Sequence, residues 1–277
     1  MGYLILGFCA SALVSVVMRL SEQRAKNGVG LLAVNYAVCA LLGMVTAGLD
    51  ALLPGGPGQG LALGLGCLNG GIYLGAFLLF QFNVRRNGVV LSATFMKLGL
   101  LVNLLISVLI FRERPGMGQI IGFCLAVGAI MLMNYRPGTG AARQGWLLGA
   151  LLLAGGMADG MSKIFEEAGP AGFSEQFLLY TFATALVLCL ILAAVKKQLP
   201  GKWEILWGAA IGIPNYYSSR FLLMALKTVP GVIAYPVYSV AGILVVTLAG
   251  VLLFRERLER RQWLALGIIL AALVLLN

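Results

Sequence analysis

Phe111-Arg112-Glu113-Arg114 closes one long apolar run and opens another that ends at Asn134. The same four letters recur at Phe254-Arg255-Glu256-Arg257, and the apolar run behind them ends at Asn277. The offset of 143 also pairs Gln119 with Gln262, Gly99 with Gly242, Gly88 with Gly231 and Tyr73 with Tyr216. Gly2-Tyr3-Leu4 falls on Gly145-Trp146-Leu147 at the same spacing. One half of the chain therefore reads as a copy of the other, and such a repeat constrains the fold more than any local pattern.

The residues around these stretches belong to a membrane. The chain is 60% hydrophobic and 11% charged, where a soluble domain carries about 25% charge. A span needs about 20 apolar residues. The pattern predicts ten, at 1–18, 29–47, 59–82, 88–110, 116–134, 145–162, 175–195, 203–225, 230–253 and 260–276. They are read as helices, because an isolated strand leaves its backbone unsatisfied in lipid and no alternation suggests a barrel. The first run begins at Met1 without a basic leader, so it is expected to remain as a span. The stretch 135–143 reads as a linker between two repeats, 1–134 and 144–277.

Five spans per repeat is an odd number, so the second copy must enter the membrane upside down. Loop charge follows that demand. Arg19, Arg24, Lys26, Arg85, Arg86, Arg136, Arg143, Lys196, Lys197, Lys202, Arg255, Arg257, Arg260 and Arg261 fall on one face. Arg112, Arg114, Lys163 and Lys227 fall on the other, beside Glu166, Glu167 and Glu175. The richer face is expected in the cytoplasm, which puts both termini outside. This placement also accounts for the net charge of +10 without nucleic acid. The expectation is an all-α integral membrane protein of ten transmembrane helices in two inverted five-helix repeats. That plan is characteristic of secondary transporters, whose sites lie near the midplane.

The repeat and its short motif resemble the drug/metabolite transporter superfamily, in particular the EamA-like ten-span permeases. The resemblance covers the chain at the level of span count and duplication. Locally it rests on Glu113-Arg114, Gln119 and Gly122, and on Glu256-Arg257 and Gln262. Arg112 and Arg255 stand where the family usually has Gly, and Ala265 replaces a second usual Gly. The resemblance implies a carrier of metabolites, leans toward export, and leaves the solute open. Family members are commonly drawn with cytoplasmic termini, the reverse of what the loop charges imply.

Residues that could meet a solute are few. Lys97 lies far from both ends of its span and has Val240 as its repeat partner. A Lys at that depth costs at least about 2.5 kcal/mol unless it is partnered. Asp159 is the one carboxylate well inside a span, a candidate proton carrier or partner for Lys97. Asn215, Tyr216 and Arg220 form the most polar intraspan stretch, with Tyr216 and Arg220 on one face. Arg220 could equally snorkel to the outer surface. Gly70-Gly71 and Ile213-Pro214 correspond across the repeat and suggest matched helix breaks, the pattern that marks transporter sites. Asn69 and Tyr73 flank the first. Asn103, Tyr235 and Tyr238 complete the expected substrate contacts. Recurrent glycine pairs four apart, such as Gly66/Gly70 and Gly156/Gly160, suit close helix packing. The Glu of each Arg-Glu-Arg step reads as a loop anchor.

The sequence carries no histidine, no Cys-x-x-Cys spacing, no P-loop and no nucleophile–base set. Neither an enzyme nor a metal or organic cofactor is expected, and the five cysteines suggest no disulfide framework. Lys97 and Arg220 against Asp159 favour a carboxylate-bearing or zwitterionic solute such as an amino acid, with a proton as the candidate coupling ion. Efflux of cationic drugs stands as a rival, as does a non-transporting assembly or receptor subunit. Monomer and homodimer both fit. The expected location is the cell's inner or plasma membrane.

Overall fold

The computed structural model describes residues 1–21, 24–48, 56, 58–87, 92, 95–134, 145–254 and 258–276, and no strand occurs among them. Helices run over Gly2–Ser21 (α1), Gly28–Ala47 (α2), Gln59–Asn87 (α3), Leu100–Leu105 (α4) and Met117–Asn134 (α5). They continue over Gly145–Ala168 (α6), Ser174–Val195 (α7), Lys202–Leu226 (α8), Gly231–Phe254 (α9) and Arg260–Leu276 (α10). Among the described residues, six stretches are long and apolar enough to cross a membrane: Gly2–Ser21, Gly28–Ala47, Gln59–Val84, Gly145–Ala168, Ser174–Val195 and Gly231–Leu253. The expected linker 135–143, Gly88 and the second Arg255-Glu256-Arg257 step lie outside the described residues.

The chain forms two compact units, and each draws on both halves of the sequence. Unit 1 comprises 1–74 and 164–227; unit 2 comprises 75–163 and 228–277.

In unit 1, α2 packs on both α7 and α8, and α1 packs on α8. Asn27 accepts from the Gly30 N–H at the start of α2 (2.9 Å), satisfying an orphan donor of the first turn. Its amide donates to the carbonyls of Gln198 and Leu199, at 2.9 and 3.0 Å, and its backbone N–H to Glu204 (3.2 Å). The basic loops before α2 and before α8 therefore share a face. Helices α2 and α7 run antiparallel: the Cys189 thiol donates to the Val29 carbonyl (3.5 Å), and Gly43 lies against Leu179.

In unit 2, α5 packs on α10, and α9 meets α4, α5 and α10. Phe123, Ala126, Ile130, Val240, Leu266 and Ile269 form part of its core. Helices α5 and α10 also run antiparallel, with Gly118 against Leu275 and Gly122 against Ala272. The pairs α2/α7 and α5/α10 are each related by the 143-residue repeat.

The expected breaks are corrected. Helix α3 runs unbroken through Gly70-Gly71, and α8 contains Pro214 without ending. Gly70 serves packing: a Cβ there would collide with the Thr181 carbonyl of α7. The irregular span is the fourth. Leu98 and Gly99 form a turn ahead of α4, and α4 passes into a π-helical stretch over Ile106–Ile110, a form frequent at functional sites. Gly99 crosses Gly156 of α6, where a Cβ on Gly156 would meet the Gly99 carbonyl at 2.5 Å.

The chain leaves the π stretch through Arg112 at φ 54°, a conformation that glycine adopts without steric cost. This is the position where the resembled family usually has Gly. Arg112→Gly should raise stability by about 0.5–1 kcal/mol, read as a higher melting temperature in detergent. A lower melting temperature would show that the Arg112 side chain contributes more than its backbone strain costs.

Candidate functional site

The first copy of the motif, through Glu113, is an anchor. Glu113 Oε1 accepts from the Gly231 N–H (3.0 Å) and Oε2 from the Val232 N–H (2.8 Å), capping α9. Its Oε1 also pairs with Lys163 Nζ of α6 at 2.7 Å, with the two side chains 15% and 2% exposed respectively. Lys163 lies 5.6 Å from the centre of the Phe111 ring. It is thus a buried helical residue and no longer counts among free loop charges, a correction to the charge tally. Burial pushes the Glu113 pKa up, but the bonds from Lys163, Val232 and Gly231 outweigh it and hold the carboxyl below its ordinary value. Gln119 accepts from the Gly116 N–H and Gln262 from the Glu259 N–H, both at 2.9 Å. The two glutamines do the same work 143 residues apart.

The expected solute contacts fall into two sets, one in each unit. In unit 2, Lys97 ends the short helical piece before the Leu98-Gly99 turn and is exposed. Asp159 of α6 is half-buried and acts on Lys97 electrostatically without a direct ion pair among the described residues. The Tyr235 hydroxyl donates to the Asp159 backbone carbonyl (3.2 Å). Asn103 is buried at 1% exposure with no partner for its Oδ1 among the described residues. That oxygen faces Gly160, whose added Cβ would lie 2.9 Å away. Tyr238 is half-buried on α9.

In unit 1, Arg220 Nε donates to Glu175 Oε1 at 2.7 Å, the side chains being 29% and 26% exposed. The Tyr216 hydroxyl donates to Glu175 Oε2 (3.0 Å) and contacts the Thr46 hydroxyl. Arg220 is therefore paired instead of snorkelling alone. Asn215 donates to Asn35 Oδ1 (3.2 Å). Buried Asn69 reaches the Thr181 hydroxyl at 3.5 Å, and its Oδ1 has no partner among the described residues. Tyr73 meets Phe182 edge-on, with centroids 6.1 Å apart.

The profile of the EamA-like transporter family matches residues 144–277. A membrane protein of Bacillus subtilis, YvaE, is 37% identical over 99 residues, covering 35% of this chain and 83% of its own. The chain belongs to the EamA-like transporter family. A second relative, from Haemophilus influenzae, is 26% identical over 220 residues, covering 77% of this chain and 72% of its own. A crystal structure sharing 16% identity superposes with a TM-score of 0.76 over 99% of this chain and 98% of that one. It shows the fold. The family is one of multi-pass membrane transporters, so the partners of this chain are a small solute and lipid.

From the sequence, Glu175 is only a loop charge and Lys163 another, whereas Glu175 pairs with Arg220 and Lys163 is buried against Glu113. A signal for Glu175 existed: the predicted topology brings the start of the seventh span and the end of the eighth to one side, and Glu175 is opposite in sign to Arg220. Asn35 gave no signal, because nothing in an apolar helix says which neighbour an amide will face.

Proposed function

We propose that this EamA-like protein is an alternating-access carrier of small polar metabolites, built as ten spans in two inverted five-helix repeats. The observation that carries the reading is the antiparallel packing of repeat-related helices, α2 on α7 and α5 on α10, as inversion requires. The favoured solute is carboxylate-bearing or zwitterionic, with export as the working direction. Lys97 and Asp159 supply opposite charges beside an irregular span, and Asp159 is the candidate proton carrier. The termini lie outside the cytoplasm, because in unit 1 the two basic loops share a face.

Solute counterflow in proteoliposomes tests the reading, using separate panels of amino acids, sugars, nucleosides and quaternary amines. Exchange of at least one panel is expected, and inert vesicles would refute a carrier. Where uptake follows a pH gradient, Asp159→Asn should abolish the coupling while leaving exchange. Full coupling in that variant would remove Asp159 from the role.

A further inference from the structure

The Glu175–Arg220 pair has the composition of a receptor for a zwitterion. Arg220 meets Glu175 side-on, through Nε. Its two Nη groups have no other hydrogen-bonding partner among the described residues. That leaves the planar fork that binds a carboxylate through two parallel bonds. Glu175 is fixed independently of Arg220, because Tyr216 donates to its second oxygen. Tyr216 is itself fully buried and touches Thr46. Each Glu175 oxygen keeps a spare lone pair for a further donor.

The pair is also partly open, at 29% and 26% exposure. Beside it Tyr216, Tyr217 and Phe221 form a run of ring contacts, with centroids 5.5 and 5.7 Å apart. Rings of this kind give an apolar wall to the body of a solute. Glu175 and Arg220 together carry no net charge, so the pair favours a net-neutral zwitterion over an anion.

We infer that Glu175 and Arg220 form a solute-recognition pair in unit 1, Glu175 taking the ammonium and the Arg220 fork the carboxylate of a net-neutral zwitterion. The inference rests on the carrier reading and narrows its solute. Each lost charge-assisted contact corresponds to about 10- to 100-fold in affinity.

The test uses full-length protein in nanodiscs and thermal-shift binding. The neutral L-amino acids are screened singly, followed by the N-acetyl and decarboxylated forms of the strongest binder. An amino acid should stabilise the protein, and both derivatives should bind at least about tenfold more weakly. Glu175→Gln should weaken the amino acid by a similar factor without weakening the N-acetyl form. The exchanged pair, Glu175→Arg with Arg220→Glu, retains an ion pair and guards against misfolding. It should fold and still fail to bind. Three results overturn the inference: no amino acid stabilises the protein, Glu175→Gln binds as wild type, or the exchanged pair recovers binding. Counterflow of sugars or nucleosides that is unaffected by Glu175→Gln would sink this pair and leave the carrier standing. Absence of any counterflow would sink the carrier itself.

Discussion

Lys97→Met should abolish solute exchange, by about two orders of magnitude or more, while the protein still inserts and purifies. An amine at this depth is expensive unless a partner stabilises it. Asp159 is the opposite charge that acts on it, yet no direct pair joins the two among the described residues. Lys97 is exposed. It also precedes the turn at Leu98-Gly99, directly ahead of α4. A lost charge-assisted bond accounts for the expected size of the effect. Lys97→Arg should rescue poorly, since a planar fork does not replace a compact ammonium. Counterflow and thermal shift on the same preparations separate transport from folding. If Lys97 serves only to balance Asp159, each single neutral variant will lower the melting temperature and the double variant will restore it. A stable Lys97→Met protein with unchanged exchange contradicts both roles.

The other large effect is on stability. Glu113→Gln should destabilise unit 2 by about 3–5 kcal/mol, the range for removing one partner of a buried ion pair. Lys163 is only 2% exposed, and the substitution removes the carboxylate it meets at 2.7 Å. Two helix N–H groups lose a charged acceptor in the same step. Adding Lys163→Met removes the buried charge as well and should recover much of the loss. The pH dependence has a defined sign. The folded pKa of Glu113 is held below its unfolded value, which is about 4.3. Its contribution is therefore complete above that value and fades as pH falls through the lower folded pKa. The gap in melting temperature between wild type and Glu113→Gln should be constant near neutrality and close only under strong acid. A gap that closes near pH 7 would mean that another group carries the linkage.

Much of this protein was legible before any coordinates. The sequence alone determined the helices, the glycine packing at Gly66/Gly70 and the anchoring role of Glu113. These features are local or periodic. In lipid a helix satisfies its own backbone, so an apolar run of sufficient length determines its own secondary structure. A motif repeated at constant spacing announces its structural job. Tertiary structure alone decided that the fourth span carries the irregularity, that Lys163 is buried beneath Glu113, and that Arg220 has Glu175 as its partner. The physical reason is that lipid tails are as apolar as leucine, so a hydrophobic face does not say which neighbour it will meet. Helix pairing rests on close packing and on a few polar contacts between residues far apart in sequence. Glu113 and Val232, or Thr46 and Tyr216, become neighbours only when the helices that carry them are packed together.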